Sequence, residues 1–297
     1  MDIGFDNKVV IITGAGGGLG RCHALEFARR GARIVVNDLG GSVDGSGGDT
    51  SPAQKVVAEI EALGGEAIAN GDSVATTEGG QAIVQTAIDN FGQVDVVVNN
   101  AGILRDKTFH NMEPDMISSV LDVHLRGAFN VTQPAWHHFR EQGSGAVINT
   151  SSNAGILGNF GQANYGAAKM GLVGFTNVLA IEGRKRGIRV NAIAPVADTR
   201  MTKDLLGPLA DNLEPELITP VVVWLASDEC EASGEVYSVA GGMVARFFVG
   251  LTQGIFDRDL TVEGVRDRWD DIRNEDGYDV FADNSGEIQK LFKLFSD

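Results

Sequence analysis

The chain has 297 residues, 43% hydrophobic and 22% charged, a balance that excludes a disordered tail and a collagen-like repeat. Its formal net charge of −16 argues against general nucleic-acid binding and against attraction to anionic membranes. No apolar run approaches the roughly 18–20 residues that a membrane-spanning helix needs.

The opening residues, Met1 to Asn7, lack the cationic start of a signal peptide. Val9-Val10-Ile11-Ile12 reads as a buried strand, closed by Thr13 and a run of glycines. Ala24 to Arg30 reads as helix, Ile34 to Val36 as strand, and Pro52 to Leu63 as a helix with proline in its first turn. Ala67 to Ala69 is a short strand, Glu78 to Phe91 a helix and Val94 to Val98 a strand. Pro114 to Arg140 is helical, with Pro134 expected to break or bend it. Then come strand Ala146 to Ile148, helix Tyr165 to Arg186, strand Ile188 to Ile193, helix Thr219 to Ser227 and strand Val236 to Val239.

Strands that alternate with helices imply βαβ units, and continuous apolar strands imply a parallel sheet covered on both faces. The expected fold class is therefore α/β: a Rossmann-type doubly wound sheet of about seven strands with a C-terminal helical extension. Residues 1–242 form the expected Rossmann-type domain. Residues 243–297 form the extension, with Val262, Val265, Trp269, Ile288, Leu291, Phe292 and Phe295 at helical spacing. The glycine-rich stretch Leu39 to Ser51 is expected to be a surface loop. Cys22 and Cys230 fit no metal or redox spacing, so reduced thiols and no metal site are expected.

Thr13 to Gly20 links the first strand to the first helix. Glycines permit a tight turn and let the backbone approach a pyrophosphate, and the helix N-terminus favours the negative charge. By itself the glycine pattern is a weak signal; its place on the first strand-turn-helix strengthens it. Asp38 ends the second strand, where a carboxylate can accept from ribose hydroxyls and repel a 2′-phosphate. No Lys or Arg stands at 14–20, so NAD is expected over NADP. Tyr165 and Lys169 are four apart on one helix and share a face. The ammonium is expected to lower the phenol's pKa and make it a general acid/base. Ser152 lies just past the strand Ala146 to Ile148, at the carboxyl edge of the sheet where ligand contacts gather.

These motifs resemble the short-chain dehydrogenase/reductase family. The matching elements are Thr13-Gly-x-x-x-Gly18-x-Gly20, Asp72, Asn99-Asn100-Ala101-Gly102, Ser152, Tyr165, Lys169 and Asn191-Ala192-Ile193-Ala194-Pro195. The resemblance implies that Ser152 holds the substrate oxygen, that Tyr165 transfers its proton, and that Lys169 grips the nicotinamide ribose. It places Gly14, Gly16, Gly17, Gly18, Leu19, Gly20, Asp38, Asp72, Ser73, Asn99, Ala101, Gly102, Tyr165, Lys169, Pro195 and Thr199 at the cofactor. One position departs. His124 stands where the family usually has an Asn that holds a relay water. It is either a substitute in the catalytic set or a histidine satisfied by a backbone carbonyl.

A narrower resemblance covers nearly the whole chain. Asn37 to Gly41, Asn100 to Asp106, Val123 to Gly127, Gly158 to Tyr165, Ala180 to Lys185 and Thr199 to Thr202 are similar to the (3R)-hydroxyacyl-CoA dehydrogenase regions of type 2 multifunctional enzymes. That subgroup includes type 4 17β-hydroxysteroid dehydrogenases. It implies NAD-dependent oxidation of a (3R)-3-hydroxyacyl-CoA in β-oxidation, with an acyl-CoA or steroid as the small-molecule partner. It also implies a homodimer, or a tetramer, paired through the helix that carries Tyr165. No Ser-Lys-Leu-type address ends the chain, so a cytoplasmic location is expected. Arg105, Lys107, Arg200 and Lys203 are candidates to meet CoA phosphates. The competing readings are a steroid 17β-dehydrogenase, an NADPH-dependent 3-ketoacyl-carrier-protein reductase, which Asp38 opposes, and a non-catalytic NAD(H) sensor.

Overall fold

A computed structural model describes residues 2–49, 51–199 and 211–296. Its contacts divide the chain into two compact units, Met1–Arg246 and Phe247–Asp297.

The first unit is built on the expected alternation. Strands β1 (Val9–Thr13), β2 (Arg33–Asn37), β3 (Glu66–Asn70), β4 (Val96–Asn99), β5 (Gly145–Thr150), β6 (Ile188–Val196), β7 (Val236–Ala240) and β8 (Met243–Phe247) join one sheet. The order is β3-β2-β1-β4-β5-β6-β7-β8, and β1 through β7 pair in parallel. The eighth strand falls inside the segment read from sequence as a helical extension. Gly241 and Gly242, at φ +50° and +86°, connect it to β7, and so short a turn returns the chain antiparallel.

Strand pleating divides the apolar side chains between two cores. Val10, Ile12, Ile34, Val36, Val98 and Ile148 face helices α1 (Gly18–Arg29) and α2 (Ser51–Ala62). Val9, Ile11, Val35, Val97, Val147 and Val190 face α3 (Thr77–Phe91) and its neighbours. Strands β1 to β6 therefore carry side chains into both cores, which explains their apolar runs.

The long helix beginning at Pro114 is broken differently from the expectation. It comprises α4 (Pro114–Leu121), a π-helical stretch at Asp122–Arg126 and α5 (Gly127–Gln142). Pro134 lies inside α5, and the departure from α geometry is at the π stretch. Asn130, the residue whose carbonyl Pro134 cannot reach, packs against α3. A Cβ at Gly80 would lie 2.3 Å from its oxygen. After β5 come the single turn α6 (Asn153–Ile156) and α7 (Ala163–Gly183), then α8 (Thr219–Ala226).

The second unit has its own contacts. Leu251 and Asp279 form an antiparallel bridge, and Lys290 ties to Asp279 at 2.8 Å and to Gln253 at 3.0 Å. Its helices are α9 (Val262–Asp267), α10 (Trp269–Arg273) and α11 (Asn284–Ser296).

Candidate active site

The sheet order reverses direction between β1 and β4, and ligands of open α/β sheets bind outside such a switch point. Hydrogen bonds stitch the two strand ends together. Thr13 Oγ1 accepts from the backbone N–H groups of Asn100 and Ala101, each at 3.0 Å. Asn100 Nδ2 donates to Thr13 O at 2.9 Å and to Gly14 O at 3.1 Å. Gly14 has φ +65°, and a Cβ there would lie 2.8 Å from Ala101 Cα. The turn therefore demands glycine for its own packing as well as for a ligand.

Gly17 precedes α1 with no side-chain cap, and the first turn of α1 holds no acidic residue. The unpaired N–H groups of that helix start suit an anion. Gly18, at φ +50°, faces open space: a Cβ there would meet only Thr199, at 3.9 Å. Asp38 closes the far side. Its carboxylate accepts from Gly16 N and from Gly40 N, each at 2.7 Å, which holds it beside the glycine turn.

A cleft of about 420 Å³ extends over this floor. Among the expected cofactor residues, Gly14, Gly17, Gly18, Leu19, Asp38, Asp72, Ser73, Ala101, Gly102 and Thr199 line it. Gly20 is buried, and Gly16 is half-buried beside the lining. Asn99 supports the sheet. It is buried and donates to Thr132 Oγ1 and to Asn149 Oδ1, each at 2.9 Å, while Asn149 donates to Thr176 at 2.9 Å. Its neighbour Asn100 is the one at the cleft.

The glycine-rich segment after β2 is a surface loop that also shapes the site. Leu39, Gly41, Ser42, Val43 and Gly45 form one wall of the cleft. Leu104 N donates to Val43 O and Arg105 Nε to Asp44 O, each at 2.9 Å. Gly45 comes so close that a Cβ would lie 3.1 Å from the Ile103 side chain. Here glycine permits close approach.

A second cleft of about 380 Å³ shares Leu19, Asn100, Gly102 and Thr199 with the first, so the two are continuous. It holds Ser152, Tyr165, Lys169, His124 and Pro195. Ser152 caps α6, accepting from Ala154 N at 3.2 Å and donating to Asn153 Oδ1 at 3.3 Å, and its hydroxyl acts to lower the Tyr165 pKa. Lys169 Nζ donates to Thr150 O at 2.5 Å and lies 5.4 Å from the centre of the Tyr165 ring. His124 packs edge-on against that ring, with centroids 5.1 Å apart. Its Nε2 lies 2.7 Å from Ile103 O and 3.0 Å from Ile103 N. One tautomer serves only one of these, and the shorter contact favours donation to the carbonyl. The backbone-satisfied alternative thus describes Nε2. The ring lies so near Gly102 that a Cβ there would be 2.4 Å from it.

The electrostatics correct one expectation. Burial raises the pKa of Tyr165; the Ser152 hydrogen bond opposes this, and the charge of Asp106 adds to it. Lys169 is itself buried, and its pKa falls from 10.5 to about 7. This has a measurable consequence. Between about pH 7 and its ordinary value, the unfolded chain binds a proton that the folded chain does not. Stability should therefore rise with pH through this window, with the full penalty present below it. In cofactor-free protein, the thermal midpoint of wild type relative to Lys169→Met should increase from about pH 7 to about pH 9.5. A constant difference between the two would refute the assignment.

Of the cations expected to meet CoA phosphates, Arg105 binds Asp115 at 3.0 Å and Asp44 O, and Lys107 pairs with Glu113 at 3.6 Å. Arg200 and Lys203 lie outside the described residues. Sequence reasoning passed over Asn100, Gln162 and the wall at 39–45 as site residues. Asn100 was visible beside Asn99, but only the sheet register shows which of the two reaches the cleft.

A model of the short chain dehydrogenase family matches residues 8–207, and the chain belongs to that family. A short-chain type dehydrogenase/reductase of Mycobacterium tuberculosis is 51% identical over 92% of this chain and 96% of its own length. Peroxisomal multifunctional enzyme type 2 of Mus musculus is 50% identical over 90% of this chain, which spans 37% of that protein. The full-length peroxisomal multifunctional enzyme type 2 of Drosophila melanogaster superposes with a TM-score of 0.84 at 35% identity, covering 99% of this chain and 50% of that one. The chain is thus an oxidoreductase acting on CH–OH groups, and it spans about a third to a half of these multifunctional relatives.

Proposed function

We propose that the protein is an NAD-dependent (3R)-3-hydroxyacyl-CoA dehydrogenase of the cytoplasm, working as a homodimer. The observation that carries the reading is the continuity of the two clefts, which sets Ser152, Tyr165 and Lys169 beside a dinucleotide floor bounded by Asp38. The similarity to multifunctional enzymes, one of them a peroxisomal hydratase-dehydrogenase-epimerase of Saccharomyces cerevisiae, supports the substrate class.

The residues fit a nicotinamide dinucleotide. The uncapped start of α1 and the open side of Gly18 suit its pyrophosphate. Asp38, already clamped by two backbone N–H groups, retains lone pairs for ribose hydroxyls and disfavours a 2′-phosphate. When bound, NAD supplies the hydride acceptor. The chain's own groups handle the proton and the geometry. Ser152 Oγ orients the carbinol oxygen, and Tyr165 Oη takes its proton. Lys169 holds the ribose and, when protonated, stabilises the phenolate. His124 keeps the Tyr165 ring in place.

Pairing of subunits is supported by apolar residues left exposed on α5 and α7: Phe129, stacked on Phe175 at 4.0 Å, with Met170, Val178 and Ile181. The buried thiols Cys22 and Cys230 suit a reducing compartment. No helix among the described residues is long and apolar enough to cross a membrane.

The test is NADH formation by the purified protein with a (3R)-3-hydroxyacyl-CoA series, with the (3S) isomers and 17β-estradiol as comparisons. Turnover confined to the (3R) thioesters is expected, and it should be faster with NAD than with NADP. Turnover of the steroid alone would move the protein to the steroid reading. NAD binding without turnover of any substrate would make it a sensor.

A further inference from the structure

Ser152 and Tyr165 account for one oxygen of the substrate. A 3-hydroxyacyl thioester has a second, the C1 carbonyl, two carbons from the reacting carbinol. An oxygen that enters a cleft without a donor forfeits its hydration, at a cost comparable to a lost hydrogen bond.

Most polar groups in the reaction cleft are already committed or closed off. Asn100 Nδ2 spends its two N–H groups on Thr13 O and Gly14 O. Ser151 donates to Lys169 O at 2.8 Å. Thr150 Oγ1 and His124 Nδ1 are buried atoms without a hydrogen-bond partner among the described residues. Gln162 differs. It is 8% exposed and it lines the cleft. It is also the residue that precedes α7, three positions before Tyr165. At that spacing around a helical turn, Cβ atoms lie about 5–6 Å apart, so two side chains can grip oxygens two carbons apart on one ligand.

The amide of Gln162 is fixed at both ends. Its Oε1 accepts from Asn159 Nδ2 at 2.9 Å. Its Nε2 donates to Asp106 Oδ2 at 2.7 Å. Rotating the amide by half a turn would set its oxygen against a carboxylate, so Asp106 decides which end carries the N–H groups. An amide nitrogen has two, and among the described residues Nε2 has one acceptor. The segment that carries Asp106 is itself tied to α7. Lys107 N donates to Gly161 O at 2.9 Å, and Asn164 Nδ2 donates to Arg105 O at 3.0 Å.

We propose that Gln162 donates its second N–H to the C1 carbonyl of the substrate thioester, and that Asp106 is the positioning residue that orients it. The inference rests on the thioester reading above and adds the contact that separates a β-hydroxy thioester from a plain secondary alcohol.

The test compares two probes, (3R)-3-hydroxyoctanoyl-CoA and its thioether analogue with CH₂ in place of the C1 carbonyl. Wild type should bind the thioester more tightly than the thioether, by inhibition constant against a common substrate. In Gln162→Leu the thioester should weaken by about 10- to 100-fold, and the thioether should be nearly unchanged. Asp106→Ala should narrow the same gap, and Asp106→Asn, which keeps an acceptor for Nε2, should restore it. If Gln162→Leu fails to fold, Gln162→Asn and Asp106→Ala carry the comparison. A gap that survives in the variants, or that is absent from wild type, overturns the inference. Failure of wild type to oxidise any (3R)-3-hydroxyacyl-CoA would instead overturn the thioester reading, and the two failures are distinct measurements.

Discussion

Tyr165→Phe is expected to lower kcat by about 10²–10⁴-fold and to leave NAD affinity little changed. The phenol is the group in the reaction cleft that stands within hydrogen-bonding reach of Ser152 and beside Lys169. Removing its oxygen removes the proton acceptor and keeps the ring, which packs edge-on against His124. Backbone support around the dinucleotide cleft comes from Thr13, Asn100 and the glycine turn, and the substitution touches none of these. Single-turnover NADH formation and NAD titration of the same preparation separate the two effects. Equal loss of binding and turnover would mean that the variant disturbs the fold rather than the chemistry. Full retained turnover would exclude Tyr165 as the base.

Gly20→Ala carries the second large effect, through packing alone. Gly20 does not line either cleft. A Cβ at this position would lie 2.3 Å from Gly14 O, 2.7 Å from Asn100 Nδ2 and 2.9 Å from Ala15 Cα. Two of these neighbours are backbone, and the third is the amide that stitches β1 to β4. None can withdraw cheaply, so the turn must open. Overpacking of this kind costs about 1–3 kcal/mol. The displaced N–H groups at the start of α1 should weaken NAD by about tenfold or more, because anion binding there depends on their alignment. Thermal unfolding and NAD titration measure the two parts. Gly18→Ala provides the contrast. Its Cβ would meet open space, although its φ of +50° adds backbone strain. If Gly20→Ala binds NAD as wild type does and unfolds at the same temperature, the close contact of α1 with the turn is not what holds the site.

How much of this was legible in the chain differs from residue to residue. Val9–Thr13 shows itself through composition, because a strand covered on both faces must be apolar throughout. The glycine turn shows itself through position, since a strand and a helix so closely joined leave few backbone paths. Tyr165 and Lys169 show their shared face through helical spacing. Other features carried no local signal. β8 sits after a two-glycine turn in a segment whose apolar spacing also suits a helix, and only pairing with β7 decides it. The π stretch at Asp122–Arg126 has no composition of its own, and the nearby Pro134 drew the expected break to the wrong place.

The sequence by itself determined the alternation of strands and helices, the glycine turn and the shared face of Tyr165 and Lys169, because each follows from periodicity or short spacing along the chain, while the family resemblance added Ser152. Tertiary structure decided what depends on distant segments meeting. It made Asn100 rather than Asn99 the cleft residue, folded residues 39–45 into a wall against Ile103 to Arg105, and joined Asp106 to Gln162. It also buried Lys169, which lowers that amine's pKa to about 7, a shift that spacing along the chain does not show.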